Sequence, residues 1–317
     1  MKVLVTGGAG FIGSHVADAY LARGDRVWVV DDLSSGREWN VPPGAEFVHM
    51  DIRDARLTDI FASAGGFDLV NHHAAQIDVR SSVMDPRRDA SINVDGFLNV
   101  VEAALKYGAK RVVFVSSGGV VYGEPDERPT RECAPKRPLS PYGVTKLAAE
   151  FYLHYYHHVR GLDYVALRYS NVFGPRQDPH GEAGVVAIFS QRILAGQSLT
   201  VYGDGEQTRD YVYVGDVVRA NLILGDAPMG PAVSLDARAF NVGTGLETSV
   251  NRLAEALQAV AGRRVGVRHA EQRAGELRHS CLDASRAAAL GWTPAATLAE
   301  GLHATFSFIA EREGNPA

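Results

Sequence analysis

A tyrosine and a lysine in the segment SPYGVTKLAAEFY are spaced for proton transfer. Pro141 favours the start of a helix, and Tyr142 and Lys146 are four residues apart, so their side chains leave one helical face. A free tyrosine has a pKa near 10, which leaves about one molecule in a thousand ionised at pH 7. A nearby ammonium, helped by a second positive charge, could lower that pKa to about 7 to 8. The alternative is that Tyr142 and Lys146 are an exposed pair on the helix surface without a role in chemistry.

Three glycines in the opening segment VLVTGGAGFIGSHVA have the spacing of a dinucleotide-binding turn. Gly7 permits a tight turn, Gly10 lets the backbone approach a pyrophosphate, and Gly13 lets the helix pack close to the strand. The helix N-terminus, with Phe11 and Ile12, then faces the phosphates. A purely steric use of glycine is the competing interpretation, but the strand before the motif and the helix after it favour a dinucleotide.

An acidic residue ends the second strand, 24 residues after Gly7. Asp31 is placed to accept hydrogen bonds from a ribose 2′-hydroxyl and to repel a 2′-phosphate, which predicts NAD rather than NADP. Alternatively, Asp31 is a turn residue of DDLSSG. The nearby Arg37 leaves NADP open.

These motifs need a parallel sheet to position them. Short β-branched runs alternate with stretches of helical spacing over the first half of the chain. The runs are KVLVT, DRVWVVD, AEFVHMD, FDLVNHHAA, RVVFVSS and DYVALRYS, and the helices are predicted over Ile12–Arg23, Ser91–Tyr107 and Tyr142–Arg160. Such alternation predicts an α/β fold, a Rossmann-like, doubly wound parallel sheet.

The alternation breaks after about Asn171, where Gly and Pro appear in NVFGPRQDPHGEAG. Further helices are predicted near Ala187–Ala195, Asp216–Leu224, Val250–Ala261 and Leu298–Ile309. We predict a first domain over 1–170 and a smaller, mixed domain over 171–317 laid against the carboxyl ends of the sheet. A segment near 205–245, with AFNVGTG, is a candidate to return to the first domain.

The composition is that of a soluble globular protein. The 317 residues are 46% hydrophobic and 22% charged, and no apolar run approaches the ~20 residues that cross a bilayer. A net charge of -5 without a basic cluster argues against nucleic acid as a partner. The strand pattern begins at Lys2, without a signal peptide, which predicts a cytoplasmic location. Cys133 and Cys281 are given no role.

Jointly, the motifs resemble the extended short-chain dehydrogenases/reductases, and among them the UDP-glucose (UDP-galactose) 4-epimerases. The resemblance runs from Met1 to the last helix. It rests on GGAGFIG, on Asp31, on DI at Asp51 and Ile52, on HHAA ending at Ala75, on SS before VYG, and on YGVTK. It implies an NAD-binding first domain, a nucleotide-sugar-binding second domain and a homodimer formed through the helix of Tyr142 and the helix before it.

The resemblance implies that Tyr142 takes the proton of the sugar 4-hydroxyl while a hydride passes from C4 to NAD. The resulting 4-keto sugar turns over and receives the hydride on its other face. Lys146 binds the nicotinamide ribose and tunes Tyr142. Further implied cofactor contacts are Asp51 and Ile52 near the adenine, Ala74, Ala75 and Tyr169 near the cofactor, and Asn93 and Ser116 supporting this wall.

The same resemblance implies a nucleotide-sugar site in the second domain. Asn171 matches the residue that holds the diphosphate, and Tyr202 and Arg209 match the uracil and phosphate region. Arg273 matches a second phosphate-binding arginine, and Glu276 matches an acidic ribose contact. Two arginines on a diphosphate make physical sense, because a guanidinium binds pairs of oxygens.

The segment SSGGVVYG distinguishes reactions among similar enzymes. Nucleotide-sugar dehydratases have an Asp-Glu pair just before VYG and decarboxylases have a Glu, whereas this chain has Gly119 and Val120. Epimerases usually have a Ser or Thr four residues before the VYG tyrosine, where this chain has Gly118. Three relays stay open: direct proton abstraction by Tyr142, a water in the vacated volume, or Ser117.

The leading prediction is 4-epimerisation of UDP-hexoses. Ser280, where related enzymes use a bulky tyrosine to exclude N-acetyl groups, predicts that UDP-N-acetylhexoses also fit. The alternatives are an epimerase for UDP-glucuronate or a dTDP-sugar, and a non-catalytic NAD-binding regulator. No metal is predicted: His154 and His158 lack an acidic third ligand, and His72 and His73 are expected to line the cofactor wall.

Overall fold

The computed structural model describes residues 1–179, 184–272 and 277–314. Its strands are β1 (Lys2–Thr6), β2 (Arg26–Asp31), β3 (Glu46–His49), β4 (Leu69–His72), β5 (Arg111–Ser117), β6 (Tyr164–Tyr169), β7 (Asn171–Phe173), β8 (Leu199–Tyr202), β9 (Thr208–Tyr213), β10 (Ala239–Val242), β11 (Glu247–Ser249), β12 (Val267–Ala270) and β13 (His279–Ser280).

The helices are α1 (Phe11–Ala22), α2 (Leu57–Ala64), α3 (Val79–Met84), α4 (Pro86–Ala90), α5 (Phe97–Lys106), α6 (Gly118–Val121), α7 (Pro141–Arg160), α8 (Val185–Leu194), α9 (Val214–Asp226), α10 (Val250–Val260), α11 (Ser285–Ala289) and α12 (Leu298–Gly314). A π-helical turn, Ser91–Gly96, joins α4 to α5. Within the described ranges, none of the helices combines the length and apolar character that a membrane crossing needs.

A seven-stranded parallel sheet forms the centre of the molecule, in the order β3-β2-β1-β4-β5-β6-β10. The predicted doubly wound α/β fold is confirmed, and all six predicted strands are present. The strand order reverses at β1 and β4, and ligands of such sheets bind beyond the carboxyl ends of the strands at that point.

Both faces of the sheet are covered, which explains why its strands read as nearly continuous apolar runs. On one face, α2, α5 and α7 enclose a core that includes Phe61, Phe97 and Phe114. On the other face, α1 and α9 enclose a second core that includes Val16 and Val217.

The second half of the chain forms smaller sheets. Strand β9 pairs with β7, β11 and β13, and β8 pairs with β12. Helices α8, α10 and α12 pack on these strands around a separate core. Strand β10 lies in the large sheet, where Ala239–Val242 pairs in parallel with β6.

The predicted helix Ser91–Tyr107 is present, but it is not α-helical along its whole length. It opens with the π-helical turn and becomes α-helical only at Phe97. Asn93 is buried inside this wide turn and bonds to the loop after β4. A π-turn often marks a functional site.

Candidate active site

The turn from β1 to α1 has no room for side chains. Gly7 has φ +70°, and a Cβ there would lie 2.6 Å from the backbone nitrogen of Ala74. A Cβ on Gly13 would collide with the Gly7 carbonyl oxygen. Gly10 caps α1 without a side chain, so the N–H groups of the first helical turn stay available to an anion. This cradle fits the pyrophosphate of a dinucleotide.

The side chains at the start of α1 pack outside this cradle. The Phe11 ring meets His15 edge-on with centroids 6.2 Å apart, and Ile12 packs against the core beneath the sheet. A second loop covers α1, because the Pro175 carbonyl lies 3.0 Å from His15 Nε2. The backbone N–H groups, rather than these side chains, therefore face the cradle.

Asp31 lies beside the same turn, at the end of β2. The buried carboxylate accepts hydrogen bonds from the N–H groups of Ala9, at 3.0 Å, and Leu33, at 2.9 Å. Burial raises its pKa. Each oxygen retains a second lone pair, which suits a ribose diol. Arg37 instead pairs with Asp178 at 3.2 Å, which favours NAD over NADP.

The two residues predicted near the adenine lie after β3. The Asp51 carboxylate pairs with Arg53 at 2.5 Å, and this hydrogen bonding lowers its pKa. The Ile52 side chain is buried in the core, and its carbonyl accepts a 2.7 Å hydrogen bond from Asn99.

The wall after β4 is held by Asn93. Its amide nitrogen donates to the Gln76 carbonyl at 2.9 Å, and its oxygen accepts from the Gln76 N–H at 2.9 Å. This two-way clamp fixes the loop that begins with the half-buried Ala74 and Ala75. Burial lowers the pKa of His73 to about 3, so that imidazole is neutral near pH 7.

Two predicted cofactor residues bond away from this wall. Ser116 is buried, and its hydroxyl donates to Glu150 at 2.5 Å. The Tyr169 hydroxyl accepts a 2.6 Å hydrogen bond from Asn221 on α9. The hydroxyl groups of both residues therefore bond to other elements of the fold. In the described part of the chain, neither hydroxyl is shown bonding toward the cleft.

Helix α7 presents Tyr142 and Lys146 together. Ser140 caps the helix by accepting from the Gly143 N–H at 3.2 Å, and Pro141 occupies the first turn. The Lys146 ammonium lies 5.8 Å from the centre of the Tyr142 ring and donates to the Val115 carbonyl at 2.9 Å. Burial lowers the pKa of Lys146 to about 8.

Ser117 makes the third member of this group. Burial raises the Tyr142 pKa, the negative charge of Asp89 raises it further, and a hydrogen bond with the Ser117 side chain lowers it. The hydroxyl of Ser117 is not used to cap α6. The Ser117 side chain is therefore a neighbour of the phenol, one residue before the position where epimerases usually have a Ser or Thr.

Gly118 does not leave an empty volume. A Cβ at Gly118 would lie 2.5 Å from Cδ1 of Leu282, whose buried side chain packs over the glycine. This packing disfavours a water in place of the missing side chain. Of the three relays that the sequence left open, the packing thus favours Ser117 over a water.

We therefore expect Ser117→Ala to lower turnover by about 10- to 100-fold, because it removes the hydroxyl that would pass the sugar proton to the general base. Gly118→Ser should not compensate in the Ser117→Ala background, since Leu282 occupies that space. Turnover numbers for Ser117→Ala, with and without Gly118→Ser, test this. Unchanged turnover in Ser117→Ala would remove the serine from the relay.

The nucleotide-sugar candidates converge on the small sheet around β9. Asn171 and Tyr211 are register partners on β7 and β9, and Ser280 on β13 is the register partner of Arg209. The Tyr202 carbonyl at the end of β8 accepts from Gln207, just before β9, at 2.9 Å. Arg273 and Glu276, the other two candidates, lie outside the described residues.

Among the described residues, no group of three or more His, Cys, Asp and Glu side chains could hold a metal ion. His154 and His158 meet edge to face on α7, with ring centroids 4.5 Å apart. His158 already bonds to the Ala232 carbonyl at 2.9 Å.

The profile of the NAD dependent epimerase/dehydratase family matches residues 3–243, which include the glycine turn, Asp31, Ser117, Tyr142 and Lys146. The chain belongs to this family.

Other epimerases match over nearly the whole chain. The UDP-glucose 4-epimerase of Mycolicibacterium smegmatis is 47% identical over 315 residues, 98% of each chain. The crystal structure of the Thermotoga maritima UDP-glucose 4-epimerase with UDP-glucose is 44% identical, has a TM-score of 0.94 and covers 99% of this chain and 100% of its own. A UDP-N-acetylglucosamine 4-epimerase from Methanobrevibacter ruminantium, in complex with UDP-N-acetylmuramic acid, is 36% identical with a TM-score of 0.91 and 98% coverage of both chains.

Some residues of this site were not identified from the sequence. Leu282 reaches the site from a distant part of the chain, and nothing in its local pattern indicates a contact with Gly118. Asp89 and Thr145 bond to each other beneath the catalytic pair at 2.8 Å. Thr145 lies within YGVTK, next to Lys146, and this position was the sequence signal that could have identified it as part of the site.

Proposed function

We propose that the protein is an NAD-dependent UDP-glucose 4-epimerase that interconverts UDP-galactose and UDP-glucose. The observation that carries this proposal is the pairing of Tyr142 with the buried Lys146, whose ammonium lies 5.8 Å from the centre of the Tyr142 ring, with Ser117 beside them at the end of β5. Gly119 and Val120, on the adjoining helix α6, provide no acid or base for a dehydratase or decarboxylase. A non-catalytic regulator would not need this constellation, and the family membership supports an enzyme.

The residues of the chain divide the work as follows. Arg209 and Asn171 hold the diphosphate of the nucleotide sugar on the β9 sheet, which directs the sugar toward α7. Ser117 bonds to the sugar 4-hydroxyl and to Tyr142. Tyr142 accepts the hydroxyl proton through this relay and returns it to the 4-oxygen of the turned 4-keto sugar in the second half of the cycle.

Lys146 stabilises the ionised, phenolate form of Tyr142. In the free protein burial keeps the Tyr142 pKa high, so a positive charge is needed to stabilise the phenolate. The glycine turn and Asp31 would hold NAD, which supplies hydride acceptance and return at C4 when bound. Because the hydride is returned in each cycle, the reaction has no net redox change.

The direct test is incubation of the purified protein with UDP-galactose, without added NAD, followed by separation of the nucleotide sugars. We expect UDP-glucose to accumulate until the two sugars reach equilibrium. A 4-keto-6-deoxy sugar would indicate a dehydratase, and complete recovery of UDP-galactose would reject catalysis on this substrate.

The same site is proposed to accept N-acetylated sugars. Ser280 is buried and is the register partner of Arg209, and a serine side chain lacks the bulk of a tyrosine ring. A steric block usually outweighs the ~1 to 3 kcal/mol gained by fitting a small group. The alternative is that His279 or Cys281 closes the pocket.

We therefore expect UDP-N-acetylglucosamine and UDP-N-acetylgalactosamine to be interconverted. Ser280→Tyr should lower kcat/KM for them at least tenfold more than for the plain hexoses. Ser280→Ala, which adds no bulk, is the matched control. An equal loss on both substrate classes, or no N-acetyl activity in the unmodified enzyme, would contradict the open pocket.

The protein is further proposed to be a cytoplasmic homodimer. Helix α7 exposes a row of large apolar side chains along one side: Val144, Phe151, Tyr152, Tyr155 and Val159. A contiguous apolar face of this kind is typical of an interface. Light scattering of the purified protein tests the dimer.

A further inference from the structure

A buried carboxylate beneath the catalytic pair has no place yet in the mechanism. Asp89, on α4, is 0% exposed. Its Oδ1 accepts from Gln76 Nε2 at 2.9 Å and from Asn93 Nδ2 at 3.1 Å. Its Oδ2 accepts from Thr145 Oγ1 at 2.8 Å. These neutral donors satisfy the carboxylate without neutralising it.

The three donors come from three different parts of the cleft. Gln76 belongs to the loop after β4, Asn93 to the π-helical turn, and Thr145 to the first turns of α7. Thr145 also lies within hydrogen-bond distance of the Tyr142 carbonyl, at 3.1 Å. Asp89 is therefore the common acceptor that joins the cofactor wall to the helix carrying the catalytic pair.

We propose that Asp89 is a positioning residue of this active site, which clamps the cofactor wall to α7 and sets the electrostatic environment of Tyr142 and Lys146. This inference rests on the proposed function, because it assigns Asp89 to the Tyr142–Lys146 chemistry. It is more than a structural role, since the negative charge of Asp89 raises the pKa of both Lys146 and Tyr142.

The surrounding elements leave Asp89 as the dominant charge acting on the lysine. Burial lowers the pKa of Lys146 to about 8, and Asp89 opposes this effect. His72 and His73, at the end of β4, also face Lys146, but burial lowers both of their pKa values, so they are neutral near pH 7. Within the part of the chain that the structure describes, Tyr142, on α7 itself, is the remaining titratable partner, and Asp89 raises its pKa as well.

Asp89→Asn separates the charge from the hydrogen bonds. An asparagine oxygen can accept from Gln76 and Asn93, and its amide can donate to the Thr145 hydroxyl. Removing the negative charge lowers the pKa of Lys146 and the pKa of Tyr142. In the holoenzyme, both limbs of the kcat–pH profile should therefore move to lower pH by at least about half a unit. Limbs that stay in place would overturn the electrostatic role.

The Lys146 titration provides a readout that does not depend on activity. The lysines of the chain are Lys2, Lys106, Lys110, Lys136 and Lys146, so carbon-13 NMR of labelled lysine ε-carbons is tractable, and Lys146→Met assigns the signal. We expect Asp89→Asn to lower the Lys146 pKa. If it does so in a protein without epimerase activity, the proposed function fails while the role of the charge stands. An unchanged Lys146 pKa overturns the inference.

Two further variants keep the test decisive. Thr145→Ala retains the charge and removes one donor, so we expect kcat to fall about fivefold with both pH limbs unmoved, and an unchanged kcat would overturn the clamp. Asp216→Asn is the control for a buried carboxylate elsewhere. Asp216 accepts from the Ala295 and Ala296 N–H groups, and its loss should lower stability without moving the pH limbs.

Discussion

Tyr142→Phe is expected to lower turnover at least ~100-fold, because it removes the positioned general base while keeping the ring. The remaining contacts of α7 do not depend on the phenol oxygen. Ser140 still caps the helix, and Lys146 still bonds to the Val115 carbonyl. The variant should therefore fold and retain bound NAD. Initial rates with saturating UDP-galactose measure the effect.

The matched control is Tyr107→Phe. Tyr107 ends α5, where its ring stacks on Phe61 with centroids 6.2 Å apart, away from the glycine turn and α7. We expect turnover within about twofold of the unmodified enzyme, as for a substitution outside the site. Turnover near the unmodified value in Tyr142→Phe would remove this tyrosine from the mechanism.

Arg168→Met is expected to cost ~3 to 5 kcal/mol of unfolding free energy. The Arg168 guanidinium is fully buried and holds Glu150 bidentately, with Nε at 3.0 Å and Nη2 at 2.6 Å. It also donates to the Tyr122 hydroxyl at 3.0 Å. Methionine would leave the buried Glu150 charge unpaired, although Ser116 would still donate to it.

Urea unfolding of the holoenzyme measures this cost against an exposed pair. Arg26 pairs with Glu46 at 3.2 Å with side chains 68% and 57% exposed, so Arg26→Met should change stability by less than about 1 kcal/mol. Equal costs for the two arginine variants would show that the buried network adds nothing beyond an ordinary surface contact.

The sheet could be predicted from the sequence because its signals are local. Buried parallel strands are continuous apolar runs, and the glycine turn carries its geometry in the spacing of three residues. The π-helical turn at Ser91–Gly96 could not be predicted, because it depends on Asn93 bonding to a loop of another element. Helical periodicity does not distinguish a π-turn within a helix.

The catalytic helix was predicted for the same local reason, since Tyr142 and Lys146 lie one turn apart. The relay was not. A choice between water and Ser117 needs the position of Leu282, which approaches Gly118 only through the tertiary fold. Asp89 was missed because an acidic residue in a short helix usually faces solvent, and its burial follows from the packing of α4 against α7.

The most direct test of the central claim uses UDP-galactose with deuterium at C4. In the proposed reaction the group removed from C4 is returned to the same carbon of the same molecule. We predict that mass spectrometry finds the deuterium retained at C4 of the UDP-glucose product, without exchange into water and without transfer to unlabelled substrate. Loss of the label to solvent would contradict hydride return and would indicate proton abstraction at carbon instead.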